Sequence, residues 1–282
     1  AESDYVKRNV GSQMIAVLDL VMNYGAKRAL RGVSFGIRPS ECFGLLGPNG
    51  AGKTTTCKLL LREMAPSSGD ICLPYCNVTS ATPVSQVFTD ARLGVCQQHD
   101  TLWEYLSAEE HLDQYLRLRL TSTYNRADWA QYITDTIAAV QLDEAGAKQA
   151  GTYSGGMKRK LQVACAMYTG ARTAFLDEPS TGMDPFARRA LWKVIRMALR
   201  NERCVVLTTH SMEEADAVCG RIGIVTHGTM RCLGSGQHLK DRFGSGYVIT
   251  IGVSTAATAQ EKSDILSGML VLFPGARLLE DM

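Results

Sequence analysis

The sequence predicts an α/β fold with an antiparallel β subdomain at its start, a parallel-sheet core and an inserted helical subdomain. Three patterns carry that expectation. The chain opens with short apolar runs punctuated by Gly and Pro, IAVLDLVMNYG and then ALRGVSFGIRPSECFGLLG, which read as antiparallel strands. From about residue 100 to 165 it turns rich in Leu, Tyr, Gln and Ala at helical spacing, as in Leu106, Leu112, Tyr115 and Leu116 and again in Ile133, Ile137 and Val140. From Thr173 onward strand-like and helix-like segments alternate: TAFLD, then 185–200, then CVVLTT, then 212–218. That alternation implies a parallel sheet, and IGIVTHGTMRCL after it reads as a hairpin.

Within the first region, Cys42-Phe43-Gly44-Leu45-Leu46 is a buried-strand candidate. A Gly-rich turn follows, and then 53–64, which lacks Gly and Pro and reads as a helix. The first helix of the inserted region has a capping-box start: the Ser107 hydroxyl can accept from the Glu110 amide while the Glu110 carboxylate reaches back to the Ser107 amide. Beyond residue 245, a β-like run at 247–253, a helix through Leu266 and an apolar LVLFPG read as the opening of a small α+β element that stops short. The segment 1–14 is left as an N-terminal linker.

Bulk properties narrow the setting. With 282 residues, 45% hydrophobic and 21% charged, the chain is long enough for one large domain or two modest ones. A formal charge of +2 supplies no field that argues for nucleic acid as a partner. Nine cysteines, an odd number set mostly in apolar runs, point to a reducing compartment and not to a disulfide framework. Cys72 and Cys76 lack a second ligand pair, so they read as small hydrophobes and not as a metal site. No apolar stretch reaches the roughly 18 residues a membrane span needs, so the chain itself is expected to be soluble. It begins without Met and ends abruptly, which predicts a piece of a longer protein.

The chemistry starts at Gly47-Pro48-Asn49-Gly50-Ala51-Gly52-Lys53-Thr54, which fits G-x-x-x-x-G-K-[ST] and falls between a predicted strand and a predicted helix. Gly50 and Gly52 let the backbone turn its amides toward phosphates, Lys53 reaches the β and γ oxygens, and Thr54 offers a hydroxyl to Mg²⁺. Thr55 is a further phosphate contact. The apolar strand ending in Asp177-Glu178 supplies the carboxylates such a loop requires: Asp177 for the metal shell, through water, and Glu178 to polarise the attacking water. Taken alone, an Asp-Glu pair after a strand more often opens a helix; taken with the loop, it reads as functional. The run Lys158-Arg159-Lys160 reads as the solvated face of a helix.

Tyr153-Ser154-Gly155-Gly156-Met157, followed by KRKLQVACAM, resembles the signature motif of ABC proteins, with Tyr and Met in place of its usual Leu and Gln. Together with ECFGLLG, DEPSTGMDP, SMEEADAVCGRIGI and RCLGSGQHLKDRFGSGY, the wording is similar to sub-family A ABC transporters, and most like their second nucleotide-binding domain. The resemblance implies a P-loop NTPase of the ABC ATPase kind with a RecA-like core. It gives Tyr24 the role of stacking on adenine and Gln98 that of sensing Mg²⁺ and γ-phosphate, with Gln97 beside it where the family usually has Pro. By the same resemblance Asp184 reaches the facing subunit and His210 contacts the γ-phosphate, while Ser154, Gly155 and Gly156 meet a partner's nucleotide.

The resemblance further implies a cassette over 15–244, its helical subdomain at about 100–165, and the start of a truncated C-terminal regulatory domain at 245–282. ATP and Mg²⁺ are the implied cofactors. The implied partners are a second nucleotide-binding domain, head to tail, and transmembrane domains that handle lipid at the cytoplasmic face of a membrane, with no nucleic acid. The alternatives are a soluble ABC ATPase acting on ribosomes or DNA and a non-catalytic ATP-binding switch. Neither the insertions of the first nor an altered Glu178 or His210, as in the second, is present.

Overall fold

A computed structural model describes residues 2–9, 13–73, 76–78, 93–119, 126–199, 203–244 and 258–274. The chain divides into a large unit, Ala1–Arg242, and a small one, Phe243–Met282. Two sheets organise the large unit. The first joins β1 (Ile15–Tyr24) antiparallel to β2 (Lys27–Ile37) on one side and to β4 (Ser68–Leu73) on the other, with β5 (Cys76–Val78) on the outer edge of β4. The second sheet is the core. Its centre is β3 (Cys42–Leu46), parallel to β8 (Cys204–Thr209) and to β9 (Arg221–Thr226); β7 (Thr173–Asp177) and β6 (Leu93–Cys96) continue it in parallel beyond β8. The hairpin partner β10 (Thr229–Gly234) closes the other edge antiparallel to β9.

The central strands are apolar along their middles because both faces are covered, with polar residues confined to their ends. Period-two alternation divides them cleanly. Phe43, Phe175 and Val206 join the apolar cluster formed with β1, β2 and α2 (Lys53–Leu60), whereas Cys42, Leu176 and Leu207 join the cluster formed with α3 (Ala108–Arg119), α5 (Gly155–Met167) and α6 (Pro185–Leu199). Phe35 of β2 stacks on Phe43 of β3 at 5.0 Å between ring centroids, joining the two sheets through their aromatic faces. The inserted helices are α3, with the expected Ser107–Glu110 capping box, and α4 (Arg126–Ala139). After β8, α7 (Met212–Val218) returns the chain to β9, and α8 (Gly236–Phe243) follows β10.

Three elements differ from the sequence reading. The segment read as a linker contains α1 (Glu2–Arg8), which packs on β1 and β2 with Val6 fully buried and Lys7 2.8 Å from Asp19. One buried apolar side chain among the described residues of a polar stretch leaves no periodic signal. The helix expected over 53–64 ends at Leu60, since Arg62 adopts a left-handed backbone at φ 61°. In the small unit α9 (Ala259–Leu272) runs past Leu266 into the apolar LVLFPG and begins with a capping box between Thr258 and Glu261. The β-like run at 247–253 lies outside the described residues.

The packing of β6 on α5 sets a sharp steric limit. A Cβ on Gly94 would stand 1.8 Å from the carbonyl oxygen of Ala166, so strand and helix backbones touch with no room for a methyl group. Gly94→Ala is therefore expected to destabilise the chain by about 3 kcal/mol or more, read as a fall in the urea midpoint. An unchanged midpoint would show that this contact yields easily.

Candidate functional site

The loop between β3 and α2 is held from three directions. The Gly47 amide donates to the Thr209 carbonyl at 3.3 Å, the Gly228 amide donates to the Ala51 carbonyl at 3.0 Å, and a Cβ on Gly47 would lie 2.2 Å from the Val225 carbonyl oxygen. Gly50 and Gly52 take φ values of 77° and 107°, which only glycine adopts without strain. Gly52 is the N-cap of α2, a helix with no side-chain cap and no acidic residue in its first turn. The first-turn amides of such a helix suit an anion. Lys53 is 5% exposed, and its ammonium donates to the carbonyls of Gly47 at 2.8 Å and Pro48 at 3.3 Å.

Facing this loop are the residues that end β7. Asp177 accepts from the hydroxyl of Thr54 at 3.3 Å and from that of Thr208. Glu178, next in sequence, has φ 47°, and its amide donates to both the carbonyl and the hydroxyl of Thr208. Its carboxylate is nearly buried, with Oε1 3.5 Å from Lys53 Nζ and Oε2 3.2 Å from His210 Nδ1; Oε2 also accepts from the Thr181 hydroxyl at 3.2 Å. The left-handed backbone turns the Glu178 side chain toward Lys53, so the strand's last two residues present two carboxylates for different contacts. Thr54 and Asp177 together offer hard oxygens of the kind magnesium prefers. Among the described residues no group of three or more side chains could cage an ion, so the pair fits a metal whose other ligands come from phosphate and water.

A cleft of about 710 Å³ brings together Tyr24, residues 49–55, Gln98 and Glu178. Tyr24 is half-exposed at the rim, its hydroxyl 3.2 Å from Met64 Sδ. Lys27, Arg28, Arg31 and His227 line the same cleft, and the sequence reading passed over them. The available signal was KRALR, a basic cluster directly after the Tyr24-Gly25 turn. Gly47 and Pro48 support the loop from beneath through Lys53, and His210 and Asp177 join through Glu178 and Thr54. Ser154, Gly155, Gly156 and Asp184 do not line this cleft. Ser154 caps α5 by accepting from the Met157 amide at 3.3 Å, a Cβ on Gly155 would meet open space, and Asp184 caps α6 through the amides of Phe186 and Ala187.

One expectation needs correction. Within Lys158-Arg159-Lys160, read as a solvated face, Arg159 is 8% exposed and donates into backbone carbonyls beneath the site. From Arg159 to Met167 every residue of α5 except Lys160 is buried, so this helix offers too narrow an outer face for three consecutive charges. Of the cysteine pair, Cys72 is half-buried, and the side chain of Cys76 lies outside the described residues.

Fold and site define a nucleotide-binding cassette. The sequence profile of the ABC transporter family matches residues 30–181. A mouse protein, ATP-binding cassette sub-family A member 7, is 40% identical over 269 residues, which cover 95% of this chain and 12% of that protein. An Arabidopsis thaliana protein, ABC transporter A family member 12, is 42% identical over 231 residues, 81% of this chain and 24% of its own length. Among solved structures, an ATP-binding cassette captured as a dimer in a post-hydrolysis state with ADP and Pi superposes with a TM-score of 0.69 at 18% identity, covering 79% of this chain and 98% of that one, a likeness of fold. The chain belongs to the ABC transporter family as one of its ATPase domains, and it is similar to sub-family A members. It spans about an eighth of the mouse relative and a quarter of the plant one.

The segment following Gln98 is pinned by a buried imidazole. His111 Nε2 accepts from the Trp103 amide at 2.9 Å, and Nδ1 lies 2.7 Å from the Ser107 carbonyl, so the neutral tautomer with its proton on Nδ1 satisfies both. Burial pushes the imidazole pKa down, against the raising influence of the Ser107 carbonyl, Glu110 and Asp100. A base depressed in the folded state binds fewer protons there than when unfolded. Its stabilising contribution is complete above the unfolded pKa of about 6.5 and is lost as pH falls from there through the folded value. Urea midpoints at pH 7.5 and 5.5 should fall further for the wild-type chain than for His111→Gln; parallel falls would show that His111 does not carry the loss.

Proposed function

We propose that this chain binds MgATP in the cleft above the 47–54 loop and hydrolyses it with Glu178, working head to tail with a second nucleotide-binding domain to power lipid transport. The observation that carries the reading is Glu178 itself. Its carboxylate is nearly buried between the Lys53 ammonium and the His210 ring, directly beside the Thr54–Asp177 pair.

Lys53 already donates to two loop carbonyls, which fixes its ammonium and leaves a third proton for phosphate oxygens. Loop amides from Asn49 to Thr55 and the α2 N-terminus take the remaining phosphate charge, with Lys27, Arg28 and Arg31 drawing the anion in. Tyr24 at the rim is the ring for adenine. Thr54 and Asp177, with Gln98, are the residues that would hold magnesium. Bound there, magnesium would neutralise charge on the phosphate oxygens. Glu178 accepts a hydrogen bond from the attacking water and turns its lone pair toward phosphorus, while His210 and Thr181 keep the carboxylate from rotating away.

The N-terminus of α5 at Ser154, Gly155 and Gly156, together with Asp184, lies off this cleft, which suits a role at the partner's nucleotide. In such a pair each cleft is only half of a site. Binding of the γ-phosphate in one state and its absence in the other supplies the differential free energy that closes and reopens the pair. Residues 15–244 are the cassette in this reading, and 245–282 the start of a C-terminal regulatory domain. Lipid as cargo, transmembrane partners and a position at the cytoplasmic face follow from the sub-family A resemblance.

ATPase rate per chain should rise steeply with protein concentration. Glu178→Gln should lower it by about 100-fold or more while ATP still binds. A high rate independent of concentration from a monomer would overturn the paired site, and an unchanged rate in Glu178→Gln would overturn the role of that carboxylate.

A further inference from the structure

Beneath the cleft, on the side away from the nucleotide, a single buried guanidinium joins the two backbone segments that carry Gln98, Asp177 and Glu178. Arg159 lies in the first turns of α5, and all five of its N–H groups are directed at acceptors. Nε donates to the Pro179 carbonyl at 2.8 Å, and Nη2 to the carbonyls of Asp177 at 2.8 Å and Glu178 at 2.9 Å. Nη1 donates to the carbonyl of Gln97, to that of Gln98 at 3.4 Å, and to Gln162 Oε1 at 3.0 Å. One planar fork therefore spans residues 97–98 and 177–179.

Its neighbours on α5 extend the tie. Gln162, buried one turn on, donates from Nε2 to the His99 carbonyl at 3.0 Å and to Asp100 at 3.3 Å, and Lys158 meets Asp100 at 3.2 Å. The segment 97–100 is thus fastened to α5 at every residue. On the opposite side, Glu178 occupies a left-handed backbone that a non-glycine residue holds only when its surroundings impose it. Arg159 grips the carbonyl of that strained residue and those on either side of it.

We propose that Arg159 is a positioning residue, which sets the Gln98 and Glu178 backbones in one frame and couples that frame to the helix whose N-terminus is Ser154-Gly155-Gly156. The proposal rests on the catalytic reading of Glu178 given above. Because α5 begins where a partner's nucleotide would dock and reaches the chain's own hydrolytic residues within two turns, displacement of its N-terminus is transmitted to Glu178 through rigid helix and guanidinium. Lysine cannot replace this contact, since a point ammonium with three donors does not bridge two segments as a planar fork does.

Arg159→Lys keeps the charge and the stem. It is expected to lower kcat by roughly tenfold to a hundredfold, with MgATP affinity falling far less than kcat, since Tyr24, the loop and Lys53 are untouched and only the contribution of Gln98 and Asp177 through magnesium is disturbed. A turnover-independent measurement goes with it: the carbonyl ¹³C resonances of Gln97, Asp177 and Pro179 should shift together, while that of Gly47 stays. Wild-type kcat in the folded variant, a loss of ATP affinity in step with kcat, or shifts confined to one of the two segments would each overturn the proposal. Should Arg159→Lys not fold, Gln162→Met takes its place, with kcat lowered about threefold or more at unchanged ATP affinity as the supporting result and wild-type kcat as the opposing one. Glu178→Gln measured alongside separates the two readings. Full turnover there removes the catalytic assignment, whereas an inactive Glu178→Gln beside a fully active Arg159→Lys removes only the role of Arg159.

Discussion

The parallel register of β3, β8 and β7 is the constraint on which the site depends. Leu46 pairs with Thr209, and Thr208 beside it pairs with Asp177, so three strands end at one level. That alignment puts the phosphate-type loop leaving β3 opposite the carboxylates ending β7, which are separated in sequence by more than a hundred residues. Ligand sites in open parallel sheets form at such carboxyl ends, where loops diverge and leave a crevice. Here the crevice is closed beneath by a buried cation and a nearly buried anion 3.5 Å apart, Lys53 and Glu178. Such a pair is costly to desolvate and is weak evidence for stability. Its retention makes sense as chemistry: each member is held by further hydrogen bonds in an orientation that faces the cleft.

Rigidity around the cleft comes from contacts that carry no chemistry themselves. Gly47 and Gly94 mark places where backbones approach too closely for a side chain, fixing the loop against β9 and β6 against α5. Thr208 holds Asp177 by its hydroxyl and Glu178 by its carbonyl, and the Arg159 fork seizes the same two residues from below. The strained peptide at Glu178 is therefore determined from both sides. By contrast the Tyr24 side of the cleft is a half-exposed tyrosine and a set of long basic side chains, which attract an anion without imposing a shape.

Legibility in the sequence followed the range of the interactions. The loop at 47–54 could be read because its glycines, lysine and threonine act within eight residues between a strand and a helix, and the Ser107–Glu110 cap because it closes over three. The core strands could be read because double burial makes their middles continuously apolar. Arg159 could not. Its acceptors are backbone carbonyls at 97–98 and 177–179, and carbonyls belong to every residue type, so composition leaves no trace of them. Lys158 and Lys160 on either side made the run look like a solvated face. The basic lining at Lys27, Arg28 and Arg31 was hidden for a similar reason: β2 passes over the cleft only because of how the two sheets are stacked, through contacts such as Phe35 on Phe43. Helix α1 left no such signal because, among the described residues, Val6 is its one buried side chain.

The central claim is that the cleft is half of a site completed by another cassette when a triphosphate is bound. Sedimentation of the Glu178→Gln chain in MgATP and in MgADP tests it most directly, because slowed hydrolysis preserves the triphosphate state. The account predicts a dimer in MgATP and a monomer in MgADP. A chain saturated with ATP that remains monomeric up to high concentration, or one whose association is indifferent to the γ-phosphate, would contradict it.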